Sequence, residues 1–313
     1  MMLIQKIPLD ANNEHVSLTT YILDESQELL VGKKRPAVLI CPGGAYLNCS
    51  DREAEPVALR FAAMGYHAFV LRYHVFFDTP NGFERLLQGE TFEPRKECQY
   101  PAAIRDIAHA MTIIYDHADE WFVDAEKIVL CGFSAGGHNV LNYAVHYDKP
   151  VIIDDFEAAK VKPAAVIAGY PISDYLYMKE SVRYQDDIAQ SLFKLSNLAF
   201  FGQEEPSDEE LAEVSATRLV SHSTPPTFIW ATAGDKLVPV GHSTRMATAL
   251  ADAGVPFEIH IYEEGNHGLA LATQATATAK TDLNPIAAEW ITAADIWLQK
   301  RFSLPLEEKG RWG

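Results

Sequence analysis

Lys127-Ile128-Val129-Leu130-Cys131-Gly132-Phe133-Ser134-Ala135-Gly136-Gly137-His138 opens as a short apolar, β-branched run and turns at a cluster of small residues. It then continues as a helix through Asn139, Val140, Leu141 and Tyr143. The run reads as a buried strand, and its centre, Gly132-Phe133-Ser134-Ala135-Gly136, fits the G-x-S-x-G nucleophile elbow. The logic is steric. A serine thrown up on a strand-to-helix turn takes strained backbone angles, and its neighbours two residues away must lack side chains for the chains to pass. The following helix points its first amides and its positive dipole end at the site. The amide of Ala135 then faces the place where an oxyanion would form.

Working outward, buried strands alternate with helices. Residues 3–8 and 17–23 read as a hairpin at one sheet edge. Pro36–Cys41 is continuously apolar, as a strand covered on both faces should be. Ser50-Asp51-Arg52-Glu53 reads as a capping box before a helix bearing Ala54, Val57, Ala58 and Phe61. His67–Leu71 is another buried strand. Pro101 opens a helix whose apolar stripe is Ile104, Ile107, Ala108, Met111, Ile114 and Tyr115. Strands follow at Ala164–Ala168 and Thr227–Ala231, and a helix carrying Met246 and Leu250 closes at Gly254. Phe257, Ile259 and Ile261 alternate with polar neighbours, which marks a strand near an edge with one face buried. Asn284-Pro285 starts a last helix with Ile286, Trp290, Ala294 and Trp297 inward. The expected fold is α/β: a mostly parallel, doubly wound sheet of about eight strands with helices on both faces. One domain over residues 1–313 is the economical reading, with 172–224 as a small cap insertion. That segment holds a helix with Ile188, Leu192, Leu195 and Leu198 on one face. The irregular stretch 76–100 is long for a connection and reads as a functional loop or excursion.

An elbow serine needs a base and an acid that orients the base. In such sheets these follow the serine in the order acid, histidine, from loops at the carboxyl ends of later strands. Asp235, in Ala233-Gly234-Asp235-Lys236, stands at the end of the 227–231 strand. His267, in Gly265-Asn266-His267-Gly268, stands past the last strand. Asp174 and His242 are the competitors, and His242 lies before the final strand. His138, just inside the elbow helix, fits a structural hydrogen bond better than a base. Pro42-Gly43-Gly44-Ala45-Tyr46, at the end of the first core strand, reads as an oxyanion loop, with the amides of Gly44, Ala45 and Ala135 facing the reacting carbonyl.

These motifs together resemble the α/β-hydrolase fold serine esterases, and among them the bacterial acetyl-esterase and acetyl-xylan-esterase-like group related to hormone-sensitive-lipase-type carboxylesterases. The similarity runs from about Val38 to the C-terminal helix. It implies a metal-free serine carboxylesterase acting on small acyl esters, often acetylated sugars. Pro42 stands where that group carries a histidine, and Ala45 where it carries a third glycine. The loop-bracing role of that histidine must fall to another residue. A serine peptidase on the same scaffold is the alternative enzyme, disfavoured because only about 35 residues precede the first core strand. A hydrolase-fold binding protein without catalysis is the alternative outside enzymology, and the presence of every triad candidate counts against it.

The composition restricts partners. Of 313 residues, 26 are Lys or Arg and 43 Asp or Glu, a net charge of −17. Nucleic acid and anionic membrane surfaces would be repelled. No run reaches the roughly 18 apolar residues of a membrane span, and Met1–Pro8 lacks a signal-peptide pattern. The four cysteines, Cys41, Cys49, Cys98 and Cys131, show no CxxC spacing and fit a reduced, cytoplasmic chain. No zinc-ligand spacing, GxGxxG or P-loop is present, so no cofactor and no metal are expected. The expected partner is a small-molecule ester, with a homo-oligomer left open. Acetyl and other short acyl groups should be preferred. Ala45 crowds the carbonyl, and Phe76, Phe77, Phe83, Phe92, Tyr175, Tyr177, Phe200 and Phe201 lie in the two segments expected to cover the site.

Overall fold

In a computed structural model of the chain, the described residues are 1–26, 28–77, 85, 88, 90–304 and 306–309. Eight strands form one sheet: β1 (Lys6–Pro8), β2 (Ser17–Tyr21), β3 (Arg35–Cys41), β4 (His67–Arg72), β5 (Val123–Phe133), β6 (Ala165–Gly169), β7 (Thr227–Thr232) and β8 (Phe257–Tyr262). Their order across the sheet is β1-β2-β4-β3-β5-β6-β7-β8. β2 runs antiparallel to β1 and β4, and every pairing from β4 to β8 is parallel. The α/β-hydrolase fold expected from the sequence is therefore the fold observed.

Alternation along the central strands sends side chains into two cores. Leu39, Leu130 and Val166 face one core. It is filled by Ile104, Ile107 and Met111 of α2 (Ala102–Asp116), by Val140 and Leu141 of α3 (Ala135–His146), and by Met246 and Leu250 further on. Val38, Ile40, Val129 and Ile167 face the other, against Val57, Ala58 and Phe61 of α1 (Glu55–Ala63) and Trp290, Ala294 and Trp297 near the C-terminus. A strand covered on both faces has no polar side, which is why β3 from Pro36 and β5 from Ile128 read as unbroken apolar runs, while β5 itself begins earlier, at Val123, through the polar, partly exposed Asp124, Glu126 and Lys127. The chain between β6 and β7 folds into α4 (Tyr175–Val182), α5 (Asp187–Phe201), α6 (Asp208–Glu213) and α7 (Ala216–Leu219). Then come α8 (Gly241–Asp252) and α9 (Trp290–Phe302). Among the described residues no helix is long and apolar enough to cross a membrane.

Several local expectations are corrected. Ser50 makes no side-chain cap. Residues Asp51–Glu53 form a separate turn of 3-10 helix, and α1 begins only at Glu55. Tyr115 lies on the solvent side of its helix and Ile188 is exposed, as is Ile286, which precedes α9 rather than belonging to it. β8 is half-buried on both faces instead of one. Phe257 and Ile259 pack against the first core while Tyr262 meets the second, and Ile261 is exposed. An edge strand flanked by a helix on each face shields both sides partly, and period-two patterning does not distinguish this from one open face.

Candidate active site

β5 and α3 meet at Ser134, which carries φ 53° and ψ −120°. Such angles cost a non-glycine residue on the order of 1–3 kcal/mol, so the surrounding structure must over-determine them. The glycines show how. A Cβ on Gly132 would stand 2.1 Å from the carbonyl oxygen of Gly136, and one on Gly136 would stand 2.1 Å from that of Cys41. Strand, turn and helix cross in contact, backbone on backbone, and only hydrogen fits between them.

The loops after β7 and β8 bring their candidates to this serine. His267 Nε2 lies 2.7 Å from Ser134 Oγ, and His267 Nδ1 lies 2.7 Å from Asp235 Oδ2. The other carboxylate oxygen, Oδ1, accepts from the amides of Leu237 and Val238 at 2.9 and 3.0 Å. An ionised carboxylate only accepts, so Nδ1 carries the proton and Nε2 is left to accept from the serine hydroxyl. Asp235 is buried, and the His267 ring retains a narrow exposed edge. The two loops are fastened to each other where Thr232 Oγ1 donates to the Gly265 carbonyl at 2.8 Å.

The competing residues are occupied elsewhere. Asp174 caps α4 through the Tyr177 amide and pairs with Arg218. His242 is buried, with Nδ1 accepting from the Ser173 amide, and burial lowers its pKa to about 3. His138 is fully buried and joins Tyr46 to α6's end. Its Nε2 donates to the Val214 carbonyl at 2.8 Å, so Nδ1 accepts from the Tyr46 hydroxyl at 2.5 Å. Burial lowers its pKa to about 4 and keeps it neutral.

The Pro42–Tyr46 loop passes directly against the elbow. A Cβ on Gly43 would stand 2.8 Å from Ser134 Cβ. Gly44, Ala45 and Tyr46 all have positive φ, at 129°, 56° and 59°. This curl closes as the Gly44 carbonyl accepts from the amides of Leu47 and Asn48. Among the described residues no protein group accepts from the amides of Gly44 and Ala45. That of Ala135, at the first position of α3, has no partner within its helix. The loop is held from behind. Tyr73 Oη donates to the Pro42 carbonyl, and the Gly43 amide donates to Glu53 Oε2, each at 2.7 Å.

Glu53 is the residue that sequence reasoning misplaced. Read as the far end of a capping box, it is turned inward and buried, between the Gly43 amide and the Tyr170 hydroxyl. The fully buried Tyr170 and the half-exposed Arg52 were not singled out either. Nothing local marks Glu53, because its partners come from other strand ends.

Ser134 and His267 open onto a cavity of about 330 Å³. Ala45, Leu47, Phe77, Leu192 and Leu237 give it apolar walls, while Asn48, Ser50 and Arg52 give it a polar side. Of the aromatics expected to fill it, Phe77 alone among the described residues is in the lining. Phe83 lies outside the described residues. Tyr175 and Phe200 are buried instead beneath the Pro42–Tyr46 loop, where Phe200 packs with its ring centroid 4.3 Å from that of Tyr46. Among the described residues no three His, Cys, Asp or Glu side chains are grouped to hold a metal ion.

The chain is similar to known proteins over most of its length. A protein-family model described as BD-FAE matches residues 91–250, just over half of the chain. Endo-1,4-beta-xylanase B of Butyrivibrio fibrisolvens is 33% identical over 242 residues, 76% of this chain and 33% of that protein. The acetylxylan esterase of Xylanibacter ruminicola is 27% identical over 241 residues, 76% of this chain and 42% of that protein. The chain thus spans well under half the length of these curated relatives. Among solved structures, the carboxylesterase Cest-2923 from Lactobacillus plantarum superposes with a TM-score of 0.76 at 28% identity, covering 98% of this chain and 100% of that one.

Proposed function

The chain belongs to the BD-FAE family of α/β hydrolases, and from that premise we propose that it is a serine carboxylesterase acting on short acyl, chiefly acetyl, esters. The observation that carries the reading is the unbroken hydrogen-bonded chain Ser134–His267–Asp235 opening on a cavity. Ser134 Oγ attacks the ester carbonyl while His267 Nε2 takes its proton. Asp235 holds the imidazole in the tautomer that can accept and stabilises the imidazolium that results. The amides of Gly44, Ala45 and Ala135 receive the oxyanion, having few other partners to give up. His267 then protonates the leaving alcohol, and water, activated by the same ring, hydrolyses the acyl-enzyme.

Acyl length follows from the walls. Each methylene that finds apolar lining gains about 0.8 kcal/mol, so an open tunnel would favour longer chains steadily. Here the Ala45 methyl, Leu192 and Leu237 stand around a small cavity, and residues 172–224, which supply Leu192, act as a cap on a single domain. The test is the specificity constant for acetyl, butyryl, hexanoyl and octanoyl esters of one leaving group. A steep fall beyond a few carbons is expected. A maximum at octanoyl overturns the short-acyl assignment, and fluorophosphonate labelling at a residue other than Ser134 overturns the nucleophile.

A further inference from the structure

A carboxylate buried behind an oxyanion loop is an expense that ordinary packing does not require. Removing it from water is costly, and an apolar side chain would fill the same space without that cost. Glu53 is 3% exposed. Its two oxygens receive one donor each from different parts of the sheet. Oε2 takes the Gly43 amide at 2.7 Å, and Oε1 takes the Tyr170 hydroxyl at 2.7 Å. The Tyr170 oxygen in turn accepts from the Ala270 amide at 2.9 Å, three residues past His267. The Tyr170 ring stands edge-on to the His267 ring with centroids 5.1 Å apart. Tyr170 holds this place at φ 38°, a backbone strain that a bulky residue accepts only when its surroundings fix it.

From this we infer that Glu53 is the positioning residue for both halves of the site: it fixes the oxyanion loop and, through Tyr170, ties that loop to the one carrying His267. The inference rests on the esterase reading above. The geometry on the loop side is tight. Gly43 lies between Glu53 and the nucleophile, since a Cβ there would stand 2.8 Å both from Glu53 Oε2 and from Ser134 Cβ. By occupying the Gly43 amide, the carboxylate sets the orientation of the Pro42–Gly43 peptide, from which the chain turns into Gly44. The Gly44 and Ala45 amides are then left to the oxyanion. A carboxylate suits this position because both partners are donors. A glutamine could accept from one and would turn its own N–H toward the other, unless Tyr170 gave up its present pattern. Glu53 thus supplies the brace that Pro42, standing in place of a loop histidine, does not.

The test compares Glu53→Gln, Tyr170→Phe and the double variant with the unaltered protein. The readouts are p-nitrophenyl acetate kinetics, fluorophosphonate titration of competent sites, and inhibition by an acetyl trifluoromethyl ketone, whose adduct with Ser134 places an oxyanion in the hole. Per titrated site, Glu53→Gln should lose about 10- to 100-fold in kcat/KM, mainly in kcat, because small misplacements of oxyanion donors carry penalties of that order. The ketone's inhibition constant should rise by a similar factor, because it depends on the same donors. Tyr170→Phe should lose less, and the double variant should fall short of the product of the single losses, since both act on one network. If titrated sites become fewer while kcat and ketone inhibition per site stay unaltered, Glu53 is only a packing residue and the inference is overturned. A loss confined to KM also overturns it. Should Glu53→Gln fail to fold, Tyr170→Phe decides, and unaltered kinetics in that variant reject the coupling. An unaltered protein that hydrolyses no ester overturns the esterase reading itself, and hydrolysis that survives Ser134→Ala overturns its nucleophile, each separately from anything the Glu53 variants show.

Discussion

In the esterase proposed above, Ser134, His267 and Asp235 would depend on one another for their reactivity, and mutation of each should tell on rate rather than on folding. Ser134→Ala should lose roughly 10⁴-fold or more in kcat, because nothing else there can form the acyl-enzyme. Asp235→Asn should cost about 10⁴-fold, because an amide can accept from the Leu237 and Val238 amides yet favour the wrong imidazole tautomer. His242→Ala and Asp174→Asn are the discriminating controls. Each removes a buried partner, so each should destabilise by about 0.5–3 kcal/mol, with turnover per folded molecule largely kept. If His242→Ala matches His267→Ala in lost turnover, the assignment of the base is wrong. The three candidates were legible because type, chain order and position after a strand all restrict them together. Glu53 was not legible: it lies 10 residues from Gly43 and 117 from Tyr170. A local reading sees only the S-x-x-E pattern, which the three-residue turn and the late start of α1 leave without a cap to make.

At the scale of elements, the elbow is a crossing of two backbones, and its glycines make a second prediction. Gly132→Ala must push its new Cβ off a main-chain oxygen at 2.1 Å, which no side-chain rotation relieves. A loss of about 3 kcal/mol or more is expected, at the upper end of the overpacking range. Gly254→Ala is the matched control. It has φ 68° but open space around it, so it should cost only the roughly 1–2 kcal/mol of a left-handed alanine. Urea midpoints for the pair measure the difference, and equal losses would mean that conformation, not contact, selects the elbow glycines. The same elements show where patterning stops being informative. Strand β3 and residues 128–133 of β5 were plain because burial on both faces leaves no polar position, whereas residues 123–127, with Asp124, Glu126 and Lys127 partly exposed, carry no such signal. The inward set of the last helix slipped at Ile286, since Asn284 caps a short turn first, accepting from the Ile286 and Ala287 amides before α9 begins at Trp290. The aromatics around residue 200 were legible as bulky but not as belonging under the Pro42–Tyr46 loop, a contact made across the molecule.

Across the whole molecule, the antiparallel hairpin β1–β2 lies at the far edge of a parallel sheet, and one charged cluster ties it to the body. His74, two residues past β4, has Nδ1 2.8 Å from Asp106 on α2 and Nε2 3.1 Å from Asp10 in the hairpin turn. Burial works against its charge, but the two carboxylates outweigh it and raise its pKa from the ordinary 6.5 to about 9. Both ring nitrogens face acceptors, so the imidazolium is the form that satisfies the site. A folded-state pKa raised above the unfolded value gives stability that is fully present below pH 6.5 and is lost as pH rises through 9. The full shift would correspond to about 3 kcal/mol, and solvent reaching Asp10 reduces this to roughly 1–2 kcal/mol. His74→Gln isolates the effect. It keeps a donor of similar reach without the titrating charge, while the acidic background of net charge −17 acts on both proteins alike. Urea unfolding at intervals from pH 6 to pH 10 should show the native protein more stable than His74→Gln at pH 6. The gap should narrow steadily and close near pH 10. A gap that stays constant across this range would mean that His74 holds the hairpin as a neutral hydrogen-bonding ring, and that the charge does not contribute.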